Sequence, residues 1–153
     1  KKQTQIYIPN WDIEYLFIGT FNPQNNIQVP YYYGREKNQT WKLLSEVFKA
    51  KLNPNEKLDP NEKTFFTSIK KIKIACIDLI DSIEFDENVV KIEDIDGNGY
   101  ADKAIINNKV KRNYNTILIN QLIKKNNKIK VYSTWGKGPK LKNWSQEVEK
   151  IKK

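Results

Sequence analysis

The chain has 153 residues, 39% of them hydrophobic, and carries 27 Lys and Arg against 18 Asp and Glu, a formal net charge of +9. That length suits one domain with a single core, no apolar run approaches a membrane span, and the opening KKQTQIYIPNW lacks the apolar stretch of a signal peptide. With no His and one Cys, Cys76, the sequence excludes an internal disulfide, Cys-based zinc or iron–sulfur sites and His-based triads, leaving Asp, Glu, Lys, Tyr, Ser, Thr and Asn for chemistry.

The positive field favours polyanions, of which nucleic acid is the commonest, although a Lys- and Asn-rich composition also follows from an AT-rich genome. There is no Met, so Lys1 is not expected to be the natural first residue.

In chain order, Tyr15–Thr20 reads as a short buried strand stopped by Gly19 and Pro23. Trp41, Leu44 and Phe48, with Leu43 and Val47 beside them, predict a helix from about Gln39 to Ala50. NPNEKLDPNEK, residues 53–63, repeats PNEK with two prolines and reads as a solvated surface loop without chemistry. KIKIACIDLIDSIEF, Lys71–Phe85, predicts a second buried strand running into a turn, followed by an insertion loop over 86–101.

From Asp102, a plausible N-cap, to Lys125 the spacing of Ile106, Val110, Tyr114, Ile117, Leu118 and Leu122 predicts one long helix. KIKVYSTW, Lys128–Trp135, is a third strand, ended by Gly136, Gly138 and Pro139. Leu141, Trp144, Val148 and Ile151 mark a final helix. Strands alternating with helices predict a three-layer α/β/α domain over 1–153 with a short parallel central sheet. Ligands of such sheets sit at the carboxyl ends of the strands, which here are Thr20–Asn26, Ile77–Ser82 and Ser133–Pro139.

LFIGTFNP followed by YYYGREKNQTWKLL resembles the first motif region of the uracil-DNA glycosylase superfamily, in particular its mismatch-specific uracil and hypoxanthine branch. There a strand ends in a Gly-x-Asn-Pro type loop, and an aromatic pair precedes an Asn-x-x-Trp helix start, here Tyr32-Tyr33-Gly34 and Asn38-Gln39-Thr40-Trp41. IACIDLIDSIE is similar to the family's second strand and VYSTWGKGPK to its third, so the likeness runs from about Leu16 to Lys140. It implies an enzyme that extrudes a deaminated base, uracil or hypoxanthine, and hydrolyses its N-glycosidic bond in base excision repair.

In that chemistry Asn22 would hold the attacking water, since a carboxamide both accepts and donates. Phe21 and Tyr33 would stack on the base and Asn38 would meet its edge. Arg35, Lys37, Lys137 and Lys140 would take backbone phosphates. DNA is the expected partner; no cofactor, metal or membrane is expected, and the expected location is cytoplasmic.

The chain departs from the family pattern in three places. GTFNP puts two residues between Gly19 and Asn22, where relatives usually have one. Arg35 stands where the hypoxanthine-like branch often has Asn. The last strand and its loop do not occur before Lys153, which leaves a clipped chain and a naturally degenerate, non-catalytic nucleic-acid-binding module both open.

Plainer readings stand beside each feature. Asn22-Pro23 can be a turn, Tyr31-Tyr32-Tyr33 a packed aromatic cluster, and Asn38 a helix cap. Asp78 and Asp81 flank the end of the second strand, one of them as a loop or cap residue. DIDGNGYAD, Asp94–Asp102, resembles the start of a calcium loop, but Ile105 stands at the position of the bidentate Glu, and a Gly-containing surface turn is the alternative.

Overall fold

A computed structural model describes residues 2–3, 8–21, 31–34, 38–89, 109–134 and 147–151. Its centre is a parallel sheet of three strands: β2 (Tyr15–Gly19) in the middle, β3 (Ile74–Asp78) on one side and β6 (Lys130–Ser133) on the other. Tyr15 pairs with Ile74 and Lys130, and Ile18 with Ile77 and Ser133, so the three strands run in step and their carboxyl ends form one rim.

Strand alternation assigns the two faces of β2 and β3 to different cores. Leu16, Ile18, Ala75 and Ile77 pack on one side with Ile119 and Leu122 of α3 (Thr116–Lys124). Ile74 and Cys76, with half-buried Tyr15 and Phe17, pack on the other side against α1 (Thr40–Val47) and α2 (Phe65–Ile72). Helices therefore flank both faces of a small mixed α/β fold. Residues 147–151 are helical too, and the Thr116 hydroxyl at the start of α3 donates to Glu147 at 2.7 Å.

The stretch Lys71–Phe85 is not one strand. Lys73 ends α2 in the left-handed region at φ 69°, and its carbonyl accepts the N–H groups of Glu14 and Tyr15 at 2.9 and 3.1 Å, which sets β3 beside β2. After Leu79 the chain turns into β4 (Ile80–Glu84). This strand lies between β1 (Lys2–Gln3) and β5 (Lys111–Tyr114) in a second, antiparallel sheet.

The predicted helix from Asp102 to Lys125 is likewise corrected: 102–108 lie outside the described residues, 111–114 are extended, and the helix begins only at Thr116. Lys111 and Arg112 pair with Glu84 and Ile83, so hydrogen bonds to a neighbouring strand override a helix-like spacing. Between Ile80 and Ser82 the pairing slips by one residue, leaving Asp81 as the extra residue of a β-bulge.

The 53–63 segment is less free than its composition predicts. Leu58 is buried in the aromatic core, and its N–H donates to the Ser45 hydroxyl at 2.8 Å, while that hydroxyl donates to the Trp41 carbonyl at 2.7 Å. A further hydrogen bond joins Glu56 to Ser68 of α2 and holds the Glu56 carboxyl below its ordinary pKa.

Candidate functional site

The chain leaves β2 through α1 and α2 to reach β3 on one side, then returns across to β6 on the other. Connections thus diverge at the carboxyl rim beside β2, the place where open α/β sheets keep their ligands. Gly19 ends β2 there. A β-carbon on Gly19 would lie 2.4 Å from Asp78 Oδ1 and 2.7 Å from the Tyr33 hydroxyl, so the absence of a side chain is what lets both groups approach the same point.

Each group reaches that point by a local device. Tyr33 sits in a turn closed by the Gly34 N–H on the Tyr31 carbonyl at 3.1 Å, with φ 59°. The left-handed region costs a non-glycine residue about 1–2 kcal/mol. The flanking aromatics fasten the turn: Tyr31 and Tyr32 are buried against Trp41 and Phe65, and the Trp41 indole N–H donates to the Tyr32 carbonyl at 2.6 Å. From this turn the Tyr33 hydroxyl reaches the Thr134 hydroxyl at 3.1 Å, bridging across to the end of β6. Thr134 in turn donates to the Ile18 carbonyl at 3.3 Å. Burial, with Cys76 and Asp78 close by, pushes the Tyr33 phenol well above its ordinary 10.0, and the Thr134 contact pulls the other way.

Asp78 continues β3 and is 3% exposed. Its backbone is clamped by Asn115, whose side-chain NH2 donates to the Asp78 carbonyl at 3.0 Å and whose N–H donates to Leu79 at 2.8 Å. On the same face two residues earlier, burial and the Asp78 carboxylate raise the Cys76 thiol well above 9.0. The rim thus holds one carboxylate and two hydroxyls at a fixed geometry.

From Tyr33, Gly34 and Asn38 a groove of about 710 Å³ runs along α1 to residues 55–64. Lys42 and Lys57 face Glu46, Glu56, Asp59 and Glu62 along it, a surplus of acid that does not suit a phosphate backbone.

Of the predicted site residues, Tyr33 stands on the rim. Asn38 is exposed at the groove, and its side-chain oxygen accepts the Thr40 N–H at 2.9 Å, an Asx-type turn just before the Gln39 N-cap of α1. Phe21 is 5% exposed and packs in the α3-side core, on the opposite face of the sheet from Tyr33. Asn22, Arg35, Lys37, Lys137 and Lys140 lie outside the described residues, as does the 94–102 calcium-loop resemblance.

Asp78 and Thr134 fall within the strand-end segments Ile77–Ser82 and Ser133–Pro139, although the motif resemblance gives neither a role. The signal for Asp78 was present: an acid with IACI before it and LI after it lies inside a buried run. No family model, curated protein or solved structure matches the chain. Among the described residues no helix is long and apolar enough to cross a membrane.

Proposed function

We propose that the chain is a uracil-DNA glycosylase-like domain whose carboxyl rim takes a deaminated base extruded from DNA, with Asn22 holding the water that hydrolyses the N-glycosidic bond. The observation that carries this reading is the meeting of Asp78, Tyr33 and Thr134 around the side-chain-free Gly19, where the sheet's connections diverge. Breaking an N-glycosidic bond needs no strong nucleophile, only positioned water and groups that stabilise a cationic sugar and an anionic leaving base. A buried carboxylate favours the first charge.

Labelled duplexes containing uracil, hypoxanthine or xanthine, treated with alkali after incubation, test the activity directly. Strand breaks at the modified base are expected. Asn22→Ala should lower cutting by about a hundredfold or more while leaving salt-dependent DNA affinity in place. Undiminished cutting by this variant removes Asn22 from the role.

A second reading, a non-catalytic nucleic-acid-binding module of the same fold, is favoured by one observation. Exposed lysines, among them Lys51, Lys73, Lys125, Lys128 and Lys130, gather at the amino rim of the sheet, away from the carboxyl rim. DNA binding without strand breaks at any of the three bases selects it.

A further inference from the structure

We propose that the hollow between residues 8–11 and α2 binds a small planar aromatic carboxylate, its ring against Trp11 and Phe66 and its anion at Lys70. The site is separate from the carboxyl rim and does not depend on the glycosylase reading. Its volume is about 530 Å³, within the range of small-molecule sites.

The aromatic walls are held from behind. The Trp11 indole N–H donates to the Ile74 carbonyl at 2.9 Å, which ties the ring to the first residue of β3. Phe66 meets buried Tyr31, another lining residue, edge-on with ring centres 5.4 Å apart, and meets Phe65 edge-on at 5.3 Å. Yet Phe66 is 45% exposed, and Ile8, which also lines the hollow, is 65% exposed. A single exposed apolar side chain needs no partner. Here two of them meet a half-buried Trp in one concavity, so an inserted ring would take a contiguous apolar surface out of water. Rings fixed in place also favour a flat aromatic partner over an aliphatic one of similar size, because aromatic pairs gain energy beyond their buried area.

Charge selects among flat ligands. Lys70 follows Phe66 by one helical turn, on the same side of α2. Among the described residues that line the hollow it is the charged one, while Asn10 and Thr67 are neutral. Lys71 lies in the same last turn and suits the helix end equally well, but it does not line the hollow. An ammonium beside apolar walls, with no acid among the described lining residues, repels cations and attracts anions. Its single compact charge matches a single carboxylate.

Calorimetric titration with indole-3-acetate, its neutral counterpart indole-3-acetamide and the non-planar cyclohexylacetate tests charge and ring separately. Indole-3-acetate should bind with a Kd of about 1 mM or tighter, and each of the other two about fivefold or more weakly than that. Failure of indole-3-acetate to bind overturns the proposal. Equal binding of the amide removes the anion site, and equal binding of cyclohexylacetate removes the ring site; either overturns it too.

Two substitutions place the ligand. Lys70→Gln should bring the acetate-to-acetamide ratio close to one while leaving acetamide binding in place, and Phe66→Ala should weaken both indole compounds about fivefold or more. Both side chains are exposed, and urea unfolding checks that each variant folds. Indole-3-acetate binding that is unchanged in either folded variant puts the ligand elsewhere and overturns the assignment.

Discussion

The two rims of the parallel sheet solve opposite problems. At the carboxyl rim a carboxylate and two hydroxyls are drawn together by buried, one-position devices: a glycine, a left-handed turn and a clamping asparagine. At the amino rim, charge is spread over exposed side chains. The Lys51 and Lys130 ammonium groups lie 5.1 and 5.2 Å from the centre of the Tyr15 ring, and Lys73 and Lys125 line a hollow of about 290 Å³ beside Asp12. Exposed cation–ring contacts contribute about 0.5–1 kcal/mol each, and salt screens such charges over about 10 Å at 0.1 M. On the proposed function, the contrast separates what would select a ligand from what would attract one. Selection needs fixed geometry out of water, whereas attraction needs only net charge.

The largest effect that would break this contrast comes from the smallest added group. Gly19→Ala puts a methyl against Asp78 and Tyr33. It should cost about 1–3 kcal/mol, read as a lower urea midpoint at unchanged slope, and, on the proposed function, abolish cutting at the modified base. A fully stable Gly19→Ala would show that Asp78 and Tyr33 can give way around the added methyl.

Tyr33→Phe removes the bridge to Thr134 and should cost about 0.5–1.5 kcal/mol by the same measurement.

Alkaline pH sharpens the same point. Cys76 and Tyr33 both titrate higher in the folded chain than their ordinary 9.0 and 10.0, so the native state keeps protons that the unfolded chain releases. Their stabilisation is complete below pH 9 and declines as pH rises through 9, for Cys76, and then 10, for Tyr33. Urea midpoints should fall over this range, and Cys76→Ala should delay the fall by about one pH unit.

The smallest effect belongs to the amino rim. Lys51→Ala and Lys130→Ala should change stability by less than about 0.5 kcal/mol and, on the proposed function, leave the salt slope of DNA binding unchanged. A slope reduced by about one per lysine would put nucleic acid on that rim and favour the non-catalytic reading.

Sequence periodicity marks β2, α1 and β6, because each is a short apolar or patterned run whose ends carry Gly, Pro or polar breaks. It failed where the deciding interaction is non-local. KRNY has no alternation to mark it as a strand and becomes one only by pairing with β4; Ile106, Val110 and Tyr114 kept a helical spacing across it. In KKIKIACIDLIDSIEF a single left-handed residue, Lys73, divides helix from strand, and a short hinge at Leu79 divides one sheet from another. α2 was legible in principle from Phe65, Ile69 and Ile72 at helical spacing.

Tyr33, expected to stack, stands on the carboxyl rim and Asn38 stands at the groove, while the ring of Phe21, expected to stack as well, packs into the α3-side core. Motif reading treats Asp78 as an end residue, because the cross-sheet approach to Gly19 is a tertiary fact that no local window contains.

The fastening of residues 53–63 has a practical consequence. PNEKLDPNEK looks, by composition, like a tether that trypsin would sever at Lys57 or Lys63. Yet Leu58 is anchored through Ser45 to Trp41, and Glu56 through Ser68 to the next helix. To fit a protease cleft the segment would have to pull its anchor out of the aromatic core, so digestion there should keep pace with unfolding of α1 and α2 rather than run ahead of it.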